Sequence, residues 1–217
     1  MDSEILNKQS QHWENNFSSK PEMFGVEPSA VAMFALEFFK KNKIKNIIEL
    51  GAGQGRDSIF FANHGLKVTA LDYSKSAVRR IKDKSFKAEL EKSLTAQCFD
   101  VRQKLPFEDQ SIDGCFSHML YCMALTSIEI EGLNNEINRI LKIGGINIFT
   151  VRNTIDGDYQ NGIYHGEDLY ESNGFIVHFF SKEKIKKLLR GFELLDISSF
   201  EEGNFPRKLY RVIMKKI

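Results

Sequence analysis

The stretch at 47–62, IIELGAGQGRDSIFFA, most narrows what this chain can fold into. An apolar run, Ile47-Ile48-Glu49-Leu50, meets three glycines at 51, 53 and 55, and an amphipathic segment follows. That order predicts a buried strand, a tight turn and the start of a helix. Glycine suits such a turn because it tolerates positive φ and lets a ligand approach the backbone. The helix N-terminus offers unpaired N–H groups and the positive end of a dipole. A ligand with a negative group is therefore expected at this loop.

Two familiar loops do not match. The dinucleotide pattern G-x-G-x-x-G needs its third glycine one place later than Gly55, and position 56 is arginine. The phosphate-loop pattern needs Gly-Lys-Ser/Thr, which does not follow. Glu49, two residues before Gly51, is an awkward neighbour for a pyrophosphate. It suits a ligand carrying an ammonium or sulfonium charge. The spacing E-x-G-x-G-x-G resembles the first motif of class I methyltransferases that use S-adenosylmethionine. The plain alternative is a glycine-rich turn with no ligand.

The surrounding pattern gives this loop a context. Pro28-Ser29 opens a predicted helix with Val31, Phe34, Ala35, Phe38 and Phe39 on one face. Strands are predicted at 46–50, 67–71, 94–99, 112–119 and 146–151. Helices are predicted at about 55–63, from the Ser74 cap to about 90, and at about 127–141. The segment 152–180 reads as long and irregular, 181–189 as helical, and 192–200 and 208–215 as two last strands. Strict alternation implies a parallel sheet, and the short terminal connection implies an antiparallel pair. The expected fold class is α/β: a single domain with a doubly wound, mostly parallel, seven-stranded, Rossmann-like sheet. It divides into a lid segment at 1–27, a cofactor-binding core at 28–151, a substrate cap at 152–180 and a C-terminal helix and strand pair at 181–217.

Composition removes several function classes. A net charge of +1 leaves no electrostatic footprint for nucleic acid. The lysine clusters at 40–43 and 182–187 lie on helical patterns and read as solvated faces. No apolar run approaches the ~20 residues that span a bilayer, and the polar start MDSEILNKQS is not a signal peptide. The three cysteines lack C-x-x-C spacing, which argues against a disulfide framework or a zinc site. Cys98 and Cys115 lie in strand-like runs and are expected in the core. The reading is a reduced, cytoplasmic protein without a required metal.

Ligands in doubly wound sheets bind at the carboxyl ends of the strands, near the point where strand order reverses. The second strand ends in Asp72-Tyr73-Ser74, where a carboxylate can accept two ribose hydroxyls. The resemblance extends to Asp100-Val101, positions that face the adenine in that family. It extends further to LPFEDQSID at 105–113 and LKIGG at 141–145, with Ile143 replacing the usual proline. It implies S-adenosylmethionine as cofactor and Gly51, Ala52, Gly53, Arg56, Asp72, Tyr73, Asp100, Val101, Ser117 and His118 as its contacts. Glu49 and the N-terminal Trp13 join that set. The loop GQGRDS at 53–58 is similar to that of the tellurite-resistance branch and related small-molecule methyltransferases.

Methyl transfer is an in-line displacement in which the protein positions a nucleophile and excludes water. His118 is a candidate base because imidazole titrates near neutrality. Tyr121 is a candidate aromatic wall, and Arg152 either binds an acidic substrate or pairs with Asp or Glu. The strand-four end reads Ser-His-Met-Leu, without the Asn/Asp-Pro-Pro-Tyr/Phe of DNA amino-methylating enzymes, so base flipping is unsupported. The expected acceptor is a small molecule. The alternatives are a nicotinamide-dependent oxidoreductase and a non-catalytic S-adenosylmethionine-binding protein.

Overall fold

The computed structural model describes residues 3–203 and 207–217, without the side chains of 3–7. In chain order come α1 (Ser3–Ser19), α2 (Ala30–Lys41), β1 (Asn46–Leu50), α3 (Arg56–Asn63), β2 (Lys67–Asp72), α4 (Lys75–Lys87), β3 (Leu94–Cys98), β4 (Ile112–His118) and α5 (Ser127–Ile140). Then follow β5 (Leu141–Arg152), β6 (Ile163–Gly166), β7 (Leu169–Ser172), β8 (Phe175–His178), α6 (Lys182–Lys186) with a 3₁₀ turn at Lys187–Leu189, β9 (Phe192–Glu202) and β10 (Arg207–Lys216).

The main sheet has the order β3-β2-β1-β4-β5-β10-β9. Its first five strands are parallel, and β10 runs antiparallel to both neighbours. The expected doubly wound sheet with an antiparallel terminal pair is therefore present. Strand order reverses between β1 and β4, which leaves a crevice above their carboxyl ends. One face is covered by α2, α3 and α4 through Phe39, Phe61 and Ile81, the other by α5 and α6 through Leu133, Ile137 and Ile185. Local chemistry starts the helices. Ser29 and Ser74 accept from Ala32 and Ala77 N–H, and Thr126 with Glu129 forms a reciprocal capping box.

Four expectations need correction. The segment 152–180 is not irregular, because β6, β7 and β8 form a separate antiparallel sheet. Each strand has only four residues, too few for alternation to register, and the turns use positive φ at Glu167, Asp168, Asn173 and Gly174. The N-terminal lid segment, for which no helix is predicted, contains α1. β5 starts at Leu141, five residues early, because the Gly144-Gly145 step is a bulge within it: Ile112 pairs with Leu141 but Gly114 pairs with Ile146. Cys98 is exposed rather than in the core, because β3 is an edge strand. Cys115 is buried as expected. Within the short connection expected between the last two strands, Asn204, Phe205 and Pro206 lie outside the described residues.

Candidate active site

A cavity of about 590 Å³ opens above the carboxyl ends of β1, β2 and β4. The core contributes Glu49, Gly51, Ala52, Gly53, Arg56, Asp72, Tyr73 and His118. Trp13 and Phe17 enter from α1; Tyr170, Phe175 and Phe179 enter from the small sheet and its end; Glu202 and Arg207 enter from the terminal hairpin. A smaller cavity of about 240 Å³ shares Trp13, Tyr73, Leu120 and Met123 with it and adds Asp100, Val101 and Arg102. Most of the expected contacts thus line these two cavities.

The glycine loop is held open by backbone geometry. Gly51, Gly53 and Gly55 have φ of +67°, +52° and +83°. A Cβ on Gly55 would lie 2.6 Å from Ile81 Cγ1, so α4 packs against bare backbone there. The N–H groups of Gly51 and Ala52 donate to Leu71 O, and that of Gly53 donates to Asp72 Oδ2 at 2.8 Å. Asp72 Oδ1 accepts from Ser74 N–H at 2.9 Å. Each carboxylate oxygen keeps a further lone pair for a ligand hydroxyl. Burial pushes the Asp72 carboxyl up to about 6, against those two backbone hydrogen bonds.

Glu49 is buried, and Ser58 Oγ donates to it. Burial and the charge of Asp57 hold its carboxyl well above the usual range. A positive group beside it favours the ionised form. Asp57 itself accepts from Ser29 N–H at 2.7 Å and Ser29 Oγ at 2.8 Å, which ties α3 to α2. Arg56 donates to Phe24 O at 2.9 Å.

The other expected residues divide. His118 lines the cavity, with Nδ1 2.8 Å from Thr150 Oγ1 and Nε2 3.1 Å from Glu202 Oε2. Asp100 faces the smaller cavity, already paired with Arg102 Nη2 at 2.6 Å. Ser117 lines neither cavity; its side chain is fully buried, and its Oγ has no hydrogen-bond partner among the described residues. Tyr121 is not a cavity wall. Met119 adopts φ +66°, the chain turns after β4, and Tyr121 is fully buried, its ring 4.2 Å from Phe149. Arg152 reaches the cavity edge, but Asp156 and Asp158 already pair with it, so the acid-pairing alternative is the one found. His165 pairs with Glu171, and His178 is buried with Nδ1 2.7 Å from Leu125 O. Burial and the nearby Lys184 charge lower His178 to about 4.

Sequence reasoning missed three contributors. Gln54 is buried; it donates to Phe17 O and Lys20 O and accepts from Met23 N–H, which fixes α1 and its following turn over the glycine loop. Glu14 accepts from Ser74 Oγ and Ser76 N–H at the start of α4, where a carboxylate meets the positive dipole end. Glu202 arrives from β9, far away in sequence, and no local motif marks it. Gly203 and Arg207, on either side of residues 204–206, also line the cavity.

A family profile described as "Methyltransferase domain" matches residues 48–149, the span that carries the glycine loop, Asp72 and Asp100. The chain carries a class I S-adenosylmethionine-dependent methyltransferase domain. A curated relative, phosphoethanolamine N-methyltransferase 1 of Triticum aestivum, is 33% identical over 127 residues, covering 58% of this chain and 22% of the relative. The chain thus spans about a fifth of the length of the curated relatives it matches. Among solved structures, the methyltransferase domain superposes on Burkholderia thailandensis 1,6-didemethyltoxoflavin-N1-methyltransferase, with a TM-score of 0.77, 15% identity and coverage of 100% and 90% of the two chains. TehB from Haemophilus influenzae gives a TM-score of 0.69 at 17% identity, covering 94% and 67%. At these identities the structural likeness establishes the fold. No helix among the described residues is long and apolar enough to cross a membrane.

Proposed function

We propose that this chain transfers the methyl group of S-adenosylmethionine to a small-molecule acceptor held between the strand ends and the small antiparallel sheet. The observation that carries this reading is one cavity lined both by the glycine loop with Asp72 and by Tyr170, Phe175 and Phe179 of the cap. The relatives named above as N-methyltransferases support it. The net charge of +1 favours a small acceptor over nucleic acid, and the cysteine pattern favours a reducing, cytoplasmic setting.

The residues present fit the cofactor's chemistry. Asp72 takes the ribose hydroxyls, Asp100 and Val101 the adenine, and Glu49 lies on the side of positive charge. The aromatic faces of Trp13 and Phe17 accompany a diffuse cation. The cofactor supplies an activated methyl group on a sulfonium. The protein's own contribution is to hold the acceptor in line, and the closure of α1 over the loop through Gln54 and Glu14 excludes water.

With methyl-labelled S-adenosylmethionine and a small-molecule extract, label is expected in a low-mass product only when the protein is present. The KM for S-adenosylmethionine is expected to rise as pH falls through about 6, where Asp72 takes up a proton and loses its charge as a hydroxyl acceptor. The sign follows from a raised carboxyl: the binding-competent anion dominates only above that value. Cofactor binding without labelled product from any acceptor source would support a non-catalytic binding protein instead.

A further inference from the structure

We propose that Glu202 receives the proton of the methyl acceptor and that the accepting atom is a nitrogen bearing hydrogen; this rests on the methyl-transfer reading of the same cavity. Thr150 is fully buried, and its Oγ1 accepts from Met119 N–H at 2.9 Å while lying 2.8 Å from His118 Nδ1. His118 Nε2 faces Glu202 Oε2 at 3.1 Å. An ionised carboxylate only accepts, so Nε2 must carry the hydrogen, and its lone pair is not offered to the cavity. His118 is then a positioning residue, and the group beside it that offers lone pairs to the cavity is Glu202, whose side chain stays 28% exposed.

Burial works to raise the Glu202 carboxyl, but the His118 hydrogen bond and the nearby Arg56 and Arg207 charges hold it below its ordinary value. Such a carboxylate is too weak a base to strip a hydroxyl or thiol before attack. It suits a weakly basic aryl or ring nitrogen, whose own lone pair attacks and whose N–H, once positive charge develops, becomes about as acidic as a carboxylic acid. The nitrogen lone pair forms the new N–C bond while the C–S bond breaks and its electron pair returns to sulfur. The N–H proton then passes to a Glu202 oxygen. A fixed anion beside the developing ammonium stabilises it at the moment of transfer.

A binding experiment tests this without knowledge of the acceptor. Sinefungin carries an amine where the sulfonium methyl stands, so it places an ammonium at the transfer point; S-adenosylhomocysteine places nothing there. Calorimetry is expected to give sinefungin a preference of about tenfold or more over S-adenosylhomocysteine, from a charge-assisted hydrogen bond. Glu202→Gln is expected to erase that preference while S-adenosylhomocysteine still binds. Glu202→Asp keeps it in part, and Glu201→Gln, one residue away and exposed, keeps it whole. An unchanged preference in Glu202→Gln overturns the proposal and leaves the cofactor reading standing. If neither adenosyl ligand binds the unaltered protein, the cofactor reading falls and takes the proposal with it.

Discussion

Replacing Arg152 by leucine is expected to lower folding stability by about 3–5 kcal/mol, because it strands a buried carboxylate. The guanidinium is buried at the end of β5 and pairs with Asp156, whose side chain is 1% exposed. Asp156 also accepts from Asp158 N–H at 2.9 Å and Lys208 N–H at 2.6 Å, so the cluster joins β5, the following turn and β10. Removing the cation leaves an anion held only by backbone donors. For a chain of this size the loss corresponds to a melting point lower by roughly 6–20 °C. Asp158→Asn removes only the solvent-facing partner, 59% exposed, and is expected to cost under about 1 kcal/mol. Thermal unfolding of the two variants checks the contrast. Retained stability in Arg152→Leu with lost methyl transfer would instead put the guanidinium on the acceptor.

Phe61→Ala is expected to cost about 3–5 kcal/mol as well, for a different reason. Phe61 is fully buried on α3, directly after the glycine loop, with its ring 5.0 Å from Phe116 of β4 and 6.2 Å from Phe39 of α2. Truncation opens a cavity where three elements meet, and close-packed neighbours relax into it only partly. Urea unfolding should show a lower midpoint with an unchanged slope. Phe86→Ala, at a 72% exposed position on α4, is expected within about 0.5 kcal/mol of the parent. Equal losses in both variants would contradict the packing described here.

The sequence carried the frame of the molecule for physical reasons. β1, β2 and β4 are apolar runs ended by turn residues, and Ser29 and Ser74 announce their helices by a strictly local hydrogen bond. The glycine loop and Asp72 are close in sequence and therefore legible as a unit. What stayed hidden depends on distant contacts. Glu202 meets His118 only because β9 lies beyond β10 at the end of the sheet, where its last residue reaches the crevice. The four-residue strands of the cap leave no periodicity to read. Tyr121 is placed by a single backbone angle at Met119, which no side-chain pattern reports. Arg152 has two possible kinds of partner in the sequence, and only the fold around Asp156 selects between them.

This cavity is expected to hold an adenosyl cofactor through Asp72. The direct measurement is calorimetric titration of S-adenosylhomocysteine and NADH at pH 7.5 into the protein and its Asp72→Ala variant. S-adenosylhomocysteine is expected to bind and NADH is not, and the substitution is expected to weaken binding by more than ~1 kcal/mol through lost charge-assisted hydrogen bonds. Binding of NADH in place of the adenosyl ligand, or adenosyl binding indifferent to Asp72, would contradict that expectation.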